Sequence, residues 1–385
     1  GYLARLSRQH TTAVAGFDLT FSPVKSVSTL WAVADLPTAA AVERAHHAAV
    51  ADALAFIEAH ALYSRLGSGG VRQVDVRGLI GAAFTHRDSR AGDPDLHTHV
   101  AVANKVQTVD GRWLAIDGRV LYKANVAASE VYNTQLERHL TEALGVRFTE
   151  RPDTGTGRRP IRELDGIHPH LLQRWSTRRQ TIEVRRSVLA QEFQARHGRP
   201  PTPIEQIGLA QQATLDTRDA KHAPRSLTEQ RADWRAQALQ VCGGTVGLDR
   251  MLGRVLHPQA GWRPENSDAV ADAAWMEATA AAIVATVEGH RSTWQTWHLR
   301  AEAYRQARTA TLTADAVEPL VDALVARAVG VHSVPVTHPT NDPISEPRVL
   351  RRRDGTSVYS VAGAQQFSSR RILDAEQRLV TLAGR

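Results

Sequence analysis

The chain has 385 residues, 42% hydrophobic and 23% charged, with a net charge of +7; that length exceeds one usual hydrophobic core and predicts two or three folded units. Its single cysteine, Cys242, and its 17 histidines exclude an internal disulfide and any thiolate-rich zinc site, so a bound metal would need imidazole and carboxylate ligands. No apolar run approaches the roughly 18 residues that span a bilayer, and the opening GYLARLSRQH has no secretory apolar core; a cytoplasmic protein without membrane insertion is expected.

In chain order, residues 13–22 (AVAGFDLTFS) read as a strand, with Val14, Phe17, Leu19 and Phe21 supplying the apolar positions. After Pro23 the period changes. Val27, Leu30, Trp31 and Val33 fall at helical spacing, with Ser26 or Ser28 available as a cap, and residues 39–60 read as a longer alanine-rich helix. Two strands are predicted at 70–77 and 78–86 and a third at 96–107, followed by the Asp110-Gly111 turn signal and a return strand around Trp113, Leu114 and Ile116. Residues 123–144 read as a helix closed by Gly145. Beyond a polar turn at 150–160 the chain is mostly helical, interrupted at 197–203 (HGRPPTP), and 333–347 has the proline and polar content of a linker. The expected fold class is therefore α+β: an antiparallel sheet flanked by helices, then a mostly helical carboxyl-terminal region.

The segment that carries chemistry is 84–107, FTHRDSRAGDPDLHTHVAVANKVQ. On a strand beginning at Leu96, side chains alternate, so His97 and His99 share one face and Leu96, Thr98, Val100 and Val102 the other. Small Ala101 and Ala103 continue the histidine face. The turn-rich loop 87–95 folds the chain back, which lets His86 act as a third ligand. Three neutral imidazoles leave coordination positions open, as a catalytic ion requires. Surface histidines beside an ordinary hairpin are the plain alternative, and His168-Pro169-His170 shows that the tripeptide alone is weak evidence.

The blocks GFDLTFSPVKSVSTLW (16–31) and THRDSRAGDPDLHTHVAVANKVQ (85–107) resemble the signature pair of the MobF relaxases, the TrwC/TraI type of the HUH endonuclease superfamily. VYNTQLERHL (131–140), WSTRRQTIEVRR (175–186) and ATLDTRDAKH (213–222) follow in the same order, so the likeness runs from residue 13 to about 240. The resemblance implies an HUH-type sheet whose His86, His97 and His99 hold one divalent ion (Mg, Mn or Zn) against the scissile phosphate of single-stranded DNA. It places Asp18 at the catalytic site, where a carboxylate bonded to the far nitrogen of a liganding histidine fixes its orientation and can accept a proton. The implied activity is metal-dependent nicking and strand transfer by transesterification at a plasmid transfer origin, with other relaxosome and conjugation proteins as partners.

One departure concerns the nucleophile. Family members attack with a tyrosine near the amino terminus, several tens of residues further upstream of the aspartate than the 17 residues that precede Asp18 here. Tyr2 is the only candidate before it, and a fragment starting after the nucleophile is expected; Tyr132 reads as structural. A metal-containing module that binds single-stranded DNA without cutting is the competing function.

Only four of the 47 basic residues are lysine, and between Arg158 and Arg199 ten arginines face four acids. A GC-rich coding sequence accounts for much of that bias, but Lys25, Arg178, Arg179, Arg218 and Lys221 stand in the family-like motifs and are the expected phosphate contacts. Trp31, Trp234, Trp275, Trp294 and Trp297 lie in amphipathic patterns and are expected in the core. The chain is expected to divide into a relaxase core (1–240), a helical region (241–332) and a segment at 333–385 that opens as a linker and resembles the start of the helicase-like region into which such relaxases pass. It has no GxxxxGK[ST] loop, which excludes ATP hydrolysis of that type.

Overall fold

A computed structural model describes residues 13–151, 160–218, 220, 223–258, 272–310, 312–337 and 346–384. The sheet that carries the histidines has three antiparallel strands: β1 (Gly16–Phe21), β4 (Gly81–Asp88) and, between them, β5 (Pro94–Ala103). Along β5 burial alternates, with Leu96, Thr98, Val100 and Val102 each at most 4% exposed. Each buried Leu or Val stabilises the fold by roughly 1.5–3 kcal/mol, and a one-residue slip would exchange this face for the histidines. That cost fixes the register.

Helices α1 (Lys25–Val33) and α2 (Leu36–His60) follow β1 and cover the apolar face of the sheet, Asp35 capping α2 through the Thr38 amide. A small hairpin, β2 (Tyr63–Leu66) with β3 (Arg72–Asp75), precedes β4, and a second, β6 (Val106–Gln107) with β7 (Trp113–Leu114), follows β5 through the Asp110-Gly111 turn. α3 (Gly118–Leu144) packs along α2 and ends at Gly145 in the left-handed conformation (φ +66°), its N–H returning to Thr141 O. β8 (Phe148–Glu150) and β9 (Arg162–Leu164) form a third hairpin. Then come α4 (Pro169–Arg174), α5 (Thr177–His197), α6 (Pro203–Asp216), α7 (Leu227–Cys242) and α8 (Thr245–Leu256).

The later elements are α9 (Ala273–Glu288), α10 (Thr296–Ala307), α11 (Ala314–Gly330), β10 (Val334–Pro335), β11 (Phe367–Ser368) and α12 (Arg370–Ala383). α9–α11 share one continuous core with the sheet and α3, and Glu130 on α3 pairs with both Arg305 and Arg308. Residues 352–362 pack back onto the β2–β3 hairpin: Gln73 N–H donates to Val358 O (2.7 Å), Arg353 N–H to Asp75 (2.8 Å), and Ala362 N–H to the Gln73 side chain (2.7 Å). Residues 352–362, beyond the proline-rich stretch read as a linker, are therefore closely packed, while 338–345 of that stretch lie outside the described residues.

Three local expectations change. Neither Ser26 nor Ser28 caps α1: both lie inside it, because their hydroxyls serve other elements, Ser26 donating to Glu163 (2.5 Å) and Ser28 accepting from Leu96 N–H (3.2 Å). The expected strand at 70–77 is the short β3, paired with β2 and not with the histidine sheet. α3 begins at Gly118, five residues before the expected start. Trp31, Trp234, Trp294 and Trp297 are buried as expected, and Trp275 packs against the core. No described helix is long and apolar enough to cross a membrane.

Candidate metal centre

The expected site residues converge. His86 on β4 lies directly across from His97 on β5, and His99 stands two residues further along the same face. The three ring centres are 5.2 Å (His86–His97), 5.3 Å (His86–His99) and 5.2 Å (His97–His99) apart. An ion bonded at about 2.1 Å to one nitrogen of each ring would set tetrahedrally arranged ring centres about 5 Å apart, so the backbone spacing fits. Among the described residues, no group of three or more His, Cys, Asp or Glu side chains is closed tightly enough to hold an ion as the rotamers stand. Turning an imidazole about χ2 re-aims its nitrogens while its centre moves little.

Two rings are already oriented from behind. His99 Nδ1–H donates to Asp18, 2.9 Å from each carboxylate oxygen, with the Thr20 hydroxyl at 3.1 Å. His97 Nδ1–H donates to the Asp95 carbonyl at 2.7 Å. Each bond leaves Nε2 as the lone-pair nitrogen, which is how histidine ligands are prepared for a cation. His97 is the more sheltered, its side chain 15% exposed against 34% for His99.

The loop joining β4 to β5 is clamped from outside. Gly92 takes φ +79°, closing the 89–93 turn through Gly92 N–H to Ser89 O (2.9 Å). Trp234 Nε1–H on α7 donates to Gly92 O (2.8 Å) and Gln230 donates to Asp88 (2.9 Å). At the start of α5, the Thr177 N–H and hydroxyl donate to the Asp93 carboxylate (3.0 and 3.2 Å), whose burial raises its pKa against those hydrogen bonds. Thr20, Asp93, Asp95 and Trp234 were not legible as site residues; only Asp95, two residues before His97, offered a local cue.

Of the expected DNA contacts, Lys25, Arg178 and Arg179 line one cleft, together with Asp95 and Arg151. Lys25 lies at the first turn of α1 as expected, but its ammonium is shared between Pro94 O (2.9 Å) and Asp95 (3.1 Å), the residue that orients His97. Arg178 reaches Thr217 O at 3.4 Å, next to exposed Arg218. Lys221 lies outside the described residues, as does Tyr2.

The fold and site define an α+β protein whose central strand presents a histidine face, with a carboxylate bonded to one ring and, alongside, a cleft of mixed charge that holds Lys25, Arg151, Arg178 and Arg179. Residues 3–241 match the TrwC relaxase family, and the chain belongs to it. It is 32% identical over 216 residues to the multifunctional conjugation protein TraI of Escherichia coli, an alignment covering 54% of this chain but only 11% of that relative's length. Similar solved structures include the conjugative relaxase TrwC in complex with oriT DNA, metal-free (30% identity, 61% of this chain and 76% of that one, TM-score 0.48) and metal-bound (30%, 61% and 75%, 0.48).

Proposed function

We propose that this chain is the core of a relaxase that nicks single-stranded DNA at a conjugative transfer origin, with one divalent ion held by His86, His97 and His99. The observation that carries the reading is the set of three imidazoles 5.2–5.3 Å apart, two of them aligned through Nδ1. When bound, the ion would polarise the scissile phosphate. Imidazole donors suit zinc or manganese better than magnesium, which prefers oxygen. Asp18 keeps the His99 ring in one tautomer, and Asp95 does the same for His97. Lys25, Arg178 and Arg179, with Arg218 and Lys221 from the adjoining motif, bind the phosphates that run through the cleft. Transesterification then exchanges one phosphodiester for another: a tyrosine oxygen bonds to phosphorus as the P–O3′ bond breaks, and the proton leaves the attacking hydroxyl for a nearby base.

A second reading, a metal-containing module that binds single-stranded DNA without cutting, is favoured by the placement of the tyrosines among the described residues. Tyr122 lies edge-on to Phe17 on the helix-covered face, Tyr132 is buried beneath the sheet, and Tyr304 is buried in α10. Tyr63 and Tyr359 belong to the β2–β3 side of the molecule. The deciding experiment incubates the chain and its Tyr2→Phe variant with supercoiled transfer-origin plasmid and manganese, and measures nicked product and covalent protein–DNA adduct. Metal-dependent nicking with an adduct supports the relaxase reading; tight metal-dependent DNA binding without either supports the module.

A further inference from the structure

Beneath the histidine face lies a polar chain, buried at Thr98, His46 and Tyr132, that the proposed chemistry does not use. Thr98 sits between His97 and His99 but points to the opposite, apolar face, flanked by Leu96 and Val100. Its hydroxyl is 2.7 Å from His46 Nε2 on α2, and His46 Nδ1 is 2.8 Å from the Tyr132 hydroxyl on α3. On the other side Thr98 meets the Thr85 hydroxyl at 3.0 Å, directly across on β4, and Thr85 meets His47 Nε2 at 3.0 Å. Thr98, His46 and Tyr132 are 1%, 0% and 3% exposed.

Such a chain has no obvious stabilising purpose, since well-packed apolar side chains of similar volume would hold the core at least as well. What it supplies is placement. Burial pushes the His46 pKa down to about 4, with smaller contributions from His47 and His97, so the ring is neutral and needs one donor and one acceptor. Donation from the Tyr132 hydroxyl to Nδ1 leaves Nε2–H to donate to Thr98, and the Thr98 hydroxyl turns toward Thr85. Both helices are thereby tied to the residue midway between two histidines, and Thr85 carries the tie to the strand position next to His86. A β5 slip of one residue would break both bonds that Thr98 makes while turning the histidines inward.

We infer that His46, held by Tyr132, is a positioning residue for the histidine triad: through Thr98 and Thr85 it sets where β5 and β4 aim His97, His99 and His86. The inference rests on the reading of the triad as a divalent-ion site. A buried group that orients ligands without touching the ion should alter its affinity about 10-fold or more.

The test uses the full chain, with cobalt(II) as the probe, and follows both calorimetric affinity and the visible absorption of the bound ion. His46→Leu is expected to bind cobalt at least tenfold more weakly, with an altered visible band and an unchanged far-ultraviolet circular dichroism spectrum. His46→Gln, whose amide can accept from Tyr132 and donate to Thr98, is expected to recover much of the affinity. Wild-type affinity and spectrum in a folded His46→Leu protein would overturn the inference while leaving the metal site standing. Failure of the wild-type chain to take cobalt at all would overturn the metal reading and the inference with it. Should His46→Leu not fold, Tyr132→Phe decides: a weakened affinity supports the relay, and an unchanged one overturns it.

Discussion

Asp18 and His99 are not paired across their strands: Asp18 faces Ala101 and His99 faces Thr20, yet the carboxylate reaches diagonally to hold the ring nitrogen with both oxygens at 2.9 Å. Diagonal neighbours are within reach only of extended side chains, and Ala101 leaves the intervening space open. Asp18→Ala should lower divalent-ion affinity roughly 10- to 100-fold, measured by titration calorimetry with manganese or zinc. Because Asp18 is 60% exposed, thermal stability should hardly move. A large fall in melting temperature with unchanged affinity would make Asp18 a structural residue instead.

Acid should loosen the metal-free fold through His46. The buried ring has a folded pKa of about 4, below the unfolded value of about 6.5, so the unfolded chain takes up the proton first. The associated stability is complete above about pH 6.5 and is lost as pH falls toward 4, a difference of roughly 3 kcal/mol. Urea unfolding of chelator-treated protein at pH 7 and pH 4.5 should show this loss, and His46→Leu should show less of it. Equal losses in the two proteins would remove His46 from the acid response.

Much of the histidine face was legible because it follows a period of two: once β5 was recognised, the side chains at 96, 98, 100 and 102 had to be buried and His97 and His99 had to share the other side. His86 was legible because the turn-rich 87–95 segment could only fold back. Asp18 carried no such local signal and came from the resemblance, since its partner is 81 residues away. His46 and Tyr132 were hidden for the same reason: each sits at an apolar helical position, and their bonds span 52 and 86 residues. β2, only four residues long, was too short to show alternation. The serines of α1 looked like caps because nothing in the sequence announces that Glu163 and Leu96 claim their hydroxyls.

The helices beyond residue 270 should unfold together with the sheet. Glu130 on α3 accepts from Arg305 (2.7 Å) and from Arg308, and the three side chains are 12%, 14% and 8% exposed. Removing the carboxylate leaves Arg305 with Glu302 (2.8 Å) and Arg308 with the Thr134 hydroxyl (2.9 Å) and the more distant Glu137 (3.8 Å) in a poorly solvated interface, at a cost below the about 3–5 kcal/mol of a fully uncompensated buried charge. Glu130→Ala should therefore lower the urea midpoint in a single shared transition, read by tryptophan fluorescence and circular dichroism. Two separated transitions in the wild-type protein would show that the continuous core does not enforce cooperativity.

Arginines in the cleft and arginines in the frame should respond differently to salt. Arg178 and Arg179 line the cleft beside Lys25, where each guanidinium can neutralise a phosphate, whereas Arg231 donates to Trp31 O (2.7 Å) and to Ala34 O at the end of α1. For single-stranded DNA, each phosphate that the protein no longer neutralises makes the plot of log affinity against log salt shallower by about 0.7. Arg178→Ala and Arg179→Ala should show that change with little effect on melting temperature, measured by fluorescence anisotropy on a labelled oligonucleotide between 50 and 300 mM salt, a range of about sixfold. Arg231→Ala should lower the melting temperature and leave the slope alone, because its donors satisfy helix-end carbonyls that otherwise lack partners. If the two cleft variants keep the wild-type slope, the DNA takes another path across the protein, and the arginines of this cleft serve only its carboxylates.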